Sequence, residues 1–287
     1  MAMRRWLLCA ALLVALPQTA PAQAPGSGAS RACAAARDAP ARTACLRSAL
    51  EGMTTALAAA RGRAVEAIAA WDGNLTAADR QEWATRFGEV LDLWLALRES
   101  VCAPRLAGFE RQLDPAAAEA AALECRLSVG AGILADLAHR FGGEGALARA
   151  SFTERGRGPN RREVIAAEGT QPLCRHPGRG GDHQPLTACF ERHAARLDRE
   201  LAEAVGAAGA AIRTQGRLRL QERSEWAALA AAVQEGWRAL RDRACALEAF
   251  ETPNRFANSI HSGIVGPCLV VETEARIRWL RTRYRLR

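Results

Sequence analysis

Two segments of the chain repeat apolar residues at the spacing of one helix face. Counted from Trp226, the apolar positions Leu229, Val233, Trp237, Leu240 and Ala244 fall at offsets 3, 7, 11, 14 and 18. The earlier segment repeats the pattern with Trp83, Phe87, Val90, Trp94, Leu97 and Val101. This period predicts a long amphipathic helix in each segment. The surrounding sequence is rich in Ala, Leu, Arg and Glu and poor in β-branched and aromatic residues, so no strands are expected and the fold class is all-α.

Two more helices are expected beside each of these long ones. An earlier helix is predicted from about Cys45 to Ala70, and again from Cys189 to about Arg219. A last helix carries Leu134 and Leu137, matched later by Ile277 and Leu280. Thr76 followed by Asp79, and Ser224 before a long apolar face, are candidate helix starts. Each part of the chain is then a three-helix bundle.

The first 24 residues have the pattern of a Sec-type signal peptide. Arg4 and Arg5 precede an apolar run from Trp6 to Leu16, and a small-residue stretch ends at Ala24. The apolar run is about half as long as a membrane-spanning helix needs, and no later segment lacks charges for long enough to span. We therefore expect a periplasmic or secreted protein, cleaved near Ala24 and without a transmembrane segment.

The remaining cysteines fall into two similar sets of four. Successive intervals are 12, 57 and 23 residues in the first set and 15, 56 and 23 in the second. The eight positions are Cys33, Cys45, Cys102, Cys125, Cys174, Cys189, Cys245 and Cys268. An even number of cysteines in an exported chain indicates disulfides. Four cysteines allow three connectivities, and the nearest-neighbour pairing (first to second, third to fourth) is the simplest that keeps each set self-contained.

Alignment on Cys102 and Cys245 brings further side chains into register. Glu82-Trp83-Ala84 falls on Glu225-Trp226-Ala227, Trp94 on Trp237, and Arg98-Glu99 on Arg241-Asp242. A shared pattern of this kind predicts two tandem, disulfide-stapled helical-bundle modules. We assign residues 1–24 to the signal peptide, 25–141 to the first module, 142–171 to a basic linker and 172–287 to the second module.

The charge of the chain is positive, at +8 overall and +6 once Arg4 and Arg5 are removed. Such a charge suits an anionic partner such as cell wall, outer-leaflet lipid or an acidic protein. The linker contains the run Arg155 to Arg162 without aromatic residues for base stacking, so nucleic-acid binding is not expected.

The second module resembles the N-terminal domain of the lysozyme inhibitor LprI family. The resemblance rests on Cys174, Cys189-Phe190, Leu197-Asp198, Trp237, Arg241-Asp242, Cys245 to Glu248, Cys268-Leu269 and Thr273 through Arg276 to Leu280. The first module resembles the family less closely, because Met53 and Thr54 stand where the second has Leu197-Asp198. The resemblance implies a helical, exported module whose named member inhibits lysozyme.

Neither a catalytic site nor a metal site is expected. Nucleophilic catalysis needs a Ser or Cys with a positioned His base, and none of the histidines lies in such a motif. A zinc site from Cys174, His176, His183, Cys189 and His193 is disfavoured, because oxidised cysteines do not ligate through thiolate. We therefore expect no enzyme activity, no cofactor and no metal. Trp94, Arg98, Glu99, Trp237, Arg241 and Asp242 form the candidate motif, interpreted as local structural ion pairs beside the third cysteine.

These observations predict an exported, non-catalytic binding module that contacts a protein or cell-envelope partner, with lysozyme as the partner that the resemblance implies. A basic lysozyme would be repelled by a chain of net charge +6 unless an acidic patch is displayed locally. The alternative is a structural or stress-related envelope protein without a specific inhibitory target.

Overall fold

The computed structural model describes residues 27–71, 75–141, 174, 184–250 and 265–286. These residues form eight α-helices and no strand, which confirms the all-α prediction. The first half (residues 27–141) contains α1 (Ser27–Ala34), α2 (Ala39–Ala69), α3 (Ala77–Val101), α4 (Pro104–Arg111) and α5 (Pro115–Phe141). The second half (residues 174–286) contains α6 (Gln184–Arg213), α7 (Leu220–Phe250) and α8 (Gly266–Tyr284). The predicted signal peptide and linker lie outside the described residues.

The two predicted helix starts have opposite outcomes. At α3, the Thr76 side chain accepts from the Asp79 backbone N–H while the Asp79 carboxylate accepts from the Thr76 backbone N–H, so the predicted capping box is confirmed. The start at Ser224 is wrong, because α7 begins at Leu220 and the Ser224 hydroxyl donates to the Leu220 carbonyl inside the helix. Glu222 instead accepts the Arg219 backbone N–H, which satisfies a donor ahead of the first turn.

The count of three helices is wrong for the first half, where two short helices add to the three long ones. α4 exists because Pro104 has no backbone N–H to continue α3, but its fixed φ suits the first position of a new helix. In the cysteine alignment Leu247 stands at this position in the second half, and there α7 runs on to Phe250. α1 carries Cys33 into a small apolar cluster with Leu46 of α2.

Four disulfides join cysteines that are neighbours in sequence. Cys33 pairs with Cys45, Cys102 with Cys125, Cys174 with Cys189, and Cys245 with Cys268. Cys102 and Cys125 hold the end of α3 to α5, and Cys245 and Cys268 hold the last part of α7 to the first turn of α8. This is the nearest-neighbour pairing.

Corresponding helices pack in corresponding ways in the two halves. α2 packs along α5 in the first half, and α6 packs along α8 in the second, with α7 against both. The inward stripes of α3 and α7 are buried as the apolar period predicts, including Trp94 at 5 % and Trp237 at 3 % exposure. None of the described helices has a stretch long and apolar enough to cross a membrane.

The two halves pack on each other through α3 and α7. Glu89 pairs with Arg243 at 3.6 Å, and a Cβ on Gly236 would lie 3.5 Å from Leu97 Cδ1. Glu89 lies before Leu97 on α3, whereas its partner Arg243 lies after Gly236 on α7, so the two helices are antiparallel. One continuous hydrophobic core includes buried residues of both halves.

Gly266 is a point where the packing of α8 on α6 tolerates no side chain. A Cβ there would lie 2.6 Å from Cβ of Phe190, the residue after Cys189. We expect Gly266→Ala to lower the free energy of unfolding by about 2 kcal/mol, because Phe190 is buried and must shift. Gly132→Ala, in open space inside α5, is the matched control and should stabilise by about 0.5–1 kcal/mol. Urea unfolding measures both; equal effects would contradict the close approach.

Candidate functional site

A buried arginine lies at the centre of the second half. The side chain of Arg241, on α7, is only 4 % exposed. Its Nη1 donates to Asp198 Oδ1 of α6 at 2.6 Å and to Thr273 Oγ1 of α8 at 2.7 Å, and its Nε donates to Asp242 Oδ1 at 2.8 Å. One guanidinium therefore ties together all three helices of the second half. We call these four residues the Arg241 cluster.

The two carboxylates of the Arg241 cluster face solvent, although their arginine does not. The side chains of Asp198 and Asp242 are 46 % and 54 % exposed. The buried guanidinium lies 5.5 Å from the Trp237 ring centroid, which covers it from within the core. Two half-exposed negative charges thus share one buried positive charge, and the surface at this point is locally acidic.

Glu272 interacts electrostatically with both Arg241 and Glu248, near the Cys245–Cys268 disulfide. Burial, together with the charge of Glu248, raises the pKa of Glu272 to about 8, while Arg241 opposes the shift. In the folded protein Glu272 is therefore largely protonated at neutral pH. We refer to Asp198, Asp242 and Glu248 as the acidic patch.

A second buried arginine, Arg276, lies on α8 about one turn after Thr273. Arg276 is 3 % exposed, and its Nε donates to Gln234 Oε1 of α7 at 2.7 Å. Its guanidinium carbon lies 5.1 Å from the Trp237 ring and 4.5 Å from the Trp279 ring. Burial lowers the pKa of Arg276 to about 9, so the group stays charged at neutral pH.

The first half has a reduced version of the Arg241 cluster. Arg98 Nε donates to Glu99 Oε1 at 2.9 Å, and Arg126 Nε lies 2.9 Å from Glu99 Oε2. Met53 and Gly130 occupy the places of the Asp198 segment and Thr273, and a Cβ on Gly130 would lie 2.9 Å from Met53 Cγ. Among the described residues, the buried Arg98 Nη1 has no hydrogen-bond partner. Two arginines share one carboxylate here, so the acidic patch belongs to the second half only.

The structure brings together the neighbouring charged residues of the candidate motif. Arg241 pairs with Asp242, and Arg98 pairs with Glu99. Trp237 and Trp94 lie four residues before these arginines on the same helices. Gln234, Glu272 and Trp279 were missed. Gln234 had a signal in the sequence, because it is a polar residue next to Val233 in the inward stripe, and the cysteine alignment places Leu91 opposite it.

The histidine and cysteine segment considered for zinc does not assemble within the described residues. His176 and His183 lie outside them, as does the side chain of His139. His193 lies 3.8 Å from Glu274, and burial together with Arg196 lowers the pKa of His193. No group of three or more His, Cys, Asp or Glu residues that could hold a metal occurs in the described parts of the chain.

The Arg276–Gln234 pair can be tested against its apolar counterpart. The cysteine alignment places Ile133 and Leu91 at these positions in the first half, where both are buried. We expect Gln234→Leu alone to cost about 2 kcal/mol of unfolding free energy, because it leaves Arg276 buried without its acceptor. The double variant Gln234→Leu/Arg276→Ile should be close to neutral, since it restores an apolar pair. A double-mutant cycle measured by urea unfolding would contradict this if the two losses simply added.

Comparison with known proteins gives a match in one region of the chain. Searches of curated proteins and of solved structures found no match. One family model does match, over a region that includes the Arg241 cluster, the buried Arg276 and both disulfides of the second half. The match does not extend into the first half. Residues 174–280 match the family model described as Lysozyme inhibitor LprI, which confirms the resemblance of the second half to that family.

Proposed function

We propose that this protein is an exported, non-catalytic binding protein whose second half contacts a basic protein partner, with lysozyme as the first candidate. The family match supports the proposal, since the description of that family is of an inhibitor. Four disulfides support an oxidising compartment outside the cytoplasm. The predicted domain boundaries and signal peptide belong to the same proposal.

The observation that carries the proposal is the acidic patch in a chain of positive net charge. Asp198 and Asp242 present half-exposed carboxylates, while the arginine between them is buried. A cationic partner approaching this point meets two half-exposed carboxylates, while the guanidinium that they share is buried. The corresponding place in the first half has Arg98 and Arg126 around Glu99, and a cationic partner would gain nothing there.

The disulfides and the Arg241 cluster make this patch rigid. The Arg241 guanidinium donates hydrogen bonds to Asp198 of α6 and to Asp242 of α7. It also donates to Thr273, which links α8 to the same group. Thr273 Oγ1 also donates to the Leu269 carbonyl, next to Cys268. A surface that is ordered before binding loses little conformational entropy when a partner docks, which favours affinity.

The test uses the mature, oxidised protein and a basic lysozyme. We expect saturable binding by calorimetry and a slower rate of bacterial cell-wall lysis by the lysozyme. Asp198→Asn/Asp242→Asn keeps the shape and removes both charges, and should weaken binding about tenfold or more, with a smaller dependence on salt. Circular dichroism below the unfolding temperature verifies that the variant is folded.

The matched control is Glu82→Gln/Glu89→Gln, which removes two half-exposed acids of α3. It should bind as the unchanged protein does. Saturable binding that both variants weaken equally would contradict the acidic patch, and no binding to lysozyme or to any envelope extract would favour the structural alternative. Peptidoglycan hydrolysis by the protein itself would contradict the non-catalytic assignment.

A further inference from the structure

The positive charge of the mature chain belongs almost entirely to its second half. Residues 172–287 contain 19 arginines and 13 acidic residues, whereas residues 25–141 contain 13 and 14. Two short segments account for the excess. Residues 213–223 and 276–287 together contain ten arginines and one acidic residue, Glu222.

These two segments lie at the same end of the second half. Arg217, in the connection between α6 and α7, donates to Gln112 Oε1 at 3.4 Å, and Arg283, at the end of α8, donates to Glu110 Oε2 at 2.8 Å. Their partners are only two residues apart at the end of α4. The α6–α7 connection and the last turn of α8 therefore both contact the end of α4, on the side away from the Cys245–Cys268 disulfide.

Several of the described arginines at this end are exposed and form no ion pair with a described carboxylate. Arg278 and Arg281 of α8, and Arg285 directly after it, are exposed at spacings of three and four residues. Arg213 is exposed at the end of α6. Among the described residues none of these four forms an ion pair, while Arg219 pairs with Glu222. Cations interact favourably with the helix dipole only in the last turn of a helix, so the dipole of α8 does not explain all of these exposed arginines.

An exposed apolar side chain lies at the same end of the second half. Leu220 is 71 % exposed, and it is one of only two large hydrophobic residues exposed in the described parts of the chain, the other being Val65 at 37 %. It is the first residue of α7, directly after Arg219. A soluble polyanion would contact arginines alone, whereas a lipid surface takes both a cationic ring and an apolar side chain that enters the headgroup region.

We propose that this arginine-rich end, made of Arg213, Arg217, Arg219, Leu220, Arg278, Arg281 and Arg285, docks on an anionic phospholipid membrane surface. Guanidinium groups bind phosphate oxygens in pairs, which suits a layer of phosphate headgroups. The acidic patch extends from the middle of α6 to the last turns of α7, away from the start of α7, so a membrane-bound molecule still presents it to a cationic partner. The proposal does not depend on what that partner is.

The test is co-sedimentation of the mature, oxidised protein with vesicles of equal parts phosphatidylglycerol and phosphatidylcholine. We expect binding that weakens as salt is raised, and none to pure phosphatidylcholine. Arg213→Gln/Arg278→Gln/Arg281→Gln/Arg285→Gln should lower the partition coefficient on the order of a hundredfold, since each arginine near the surface contributes several-fold. Circular dichroism checks that this variant is folded.

The matched control removes the same charge elsewhere, with Arg37→Gln/Arg63→Gln/Arg192→Gln/Arg199→Gln, all exposed. It should keep most of the binding. Equal losses in both variants would show that net charge alone acts and would overturn the proposal. So would tighter binding to soluble polyphosphate than to vesicles, or unchanged binding by the variant of the arginine-rich end.

Discussion

Replacing Arg241 by Ala should lower the free energy of unfolding by about 3 kcal/mol. The change removes hydrogen bonds to Asp198, Asp242 and Thr273, one on each of the three helices of the second half. It also leaves a space beside Trp237, over whose ring the guanidinium lies. Urea unfolding of the oxidised protein measures the loss.

Arg98→Ala is the matched control, because Arg98 aligns with Arg241 and its side chain is nearly as buried, at 9 % against 4 % exposure. Arg98 donates to a single, half-exposed carboxylate, Glu99, and its Nη1 lacks a partner among the described residues. We expect a loss of about 1 kcal/mol, since fewer bonds disappear. Losses of equal size in the two variants would show that the Asp198 and Thr273 contacts add no stability.

Stability should fall by about 3 kcal/mol between pH 5 and pH 8 through Glu272 alone. Burial and the charge of Glu248 raise the pKa of this carboxyl from 4.5 to about 8. Between these values the folded state binds more protons than the unfolded state, so stability decreases as pH rises. The contribution is complete below the unfolded-state pKa and is lost as pH passes the folded-state pKa.

Glu272→Gln should remove this slope and stabilise the protein at pH 8, because the amide is neutral at every pH. The measurement is urea unfolding at the two pH values, and the readout is the difference in unfolding free energy between the unsubstituted protein and Glu272→Gln. Titration of His193 acts in the opposite direction but is common to both proteins and cancels in the difference. Glu203→Gln, an exposed change on α6, serves as control. A parallel pH dependence with and without Glu272 would contradict the raised pKa.

The long helices and their inward faces were predictable because they depend on local order. Trp83, Val90 and Trp94, with Trp226, Val233 and Trp237, repeat at the helix period and are buried in the structure. The short helix α4 was missed, although Pro104 marks its start, because eight residues are too few to show a period. The start of α7 was placed four residues late, since Ser224 has the capping residue type but lies inside the helix.

The acidic patch was only partly predictable. Arg241 with Asp242 could be singled out as neighbours in sequence, but Asp198 lies 43 residues before Arg241 and Thr273 lies 32 residues after it. Which of the adjacent charges is buried and which faces solvent depends on how α6 and α8 pack on α7. No local pattern contains that information.

By itself, the sequence determined that this chain is helical, that its cysteines recur at nearly equal intervals, and that residues 174–280 resemble one inhibitor family, because each of these follows from residue types and spacing along the chain. Only the tertiary structure decided that α3 and α7 cross antiparallel within one shared core, that two exposed aspartates share one buried arginine, and that two arginine-rich segments meet at the end of α4. These depend on side chains far apart in sequence, and the packing of apolar helix faces brings such side chains together.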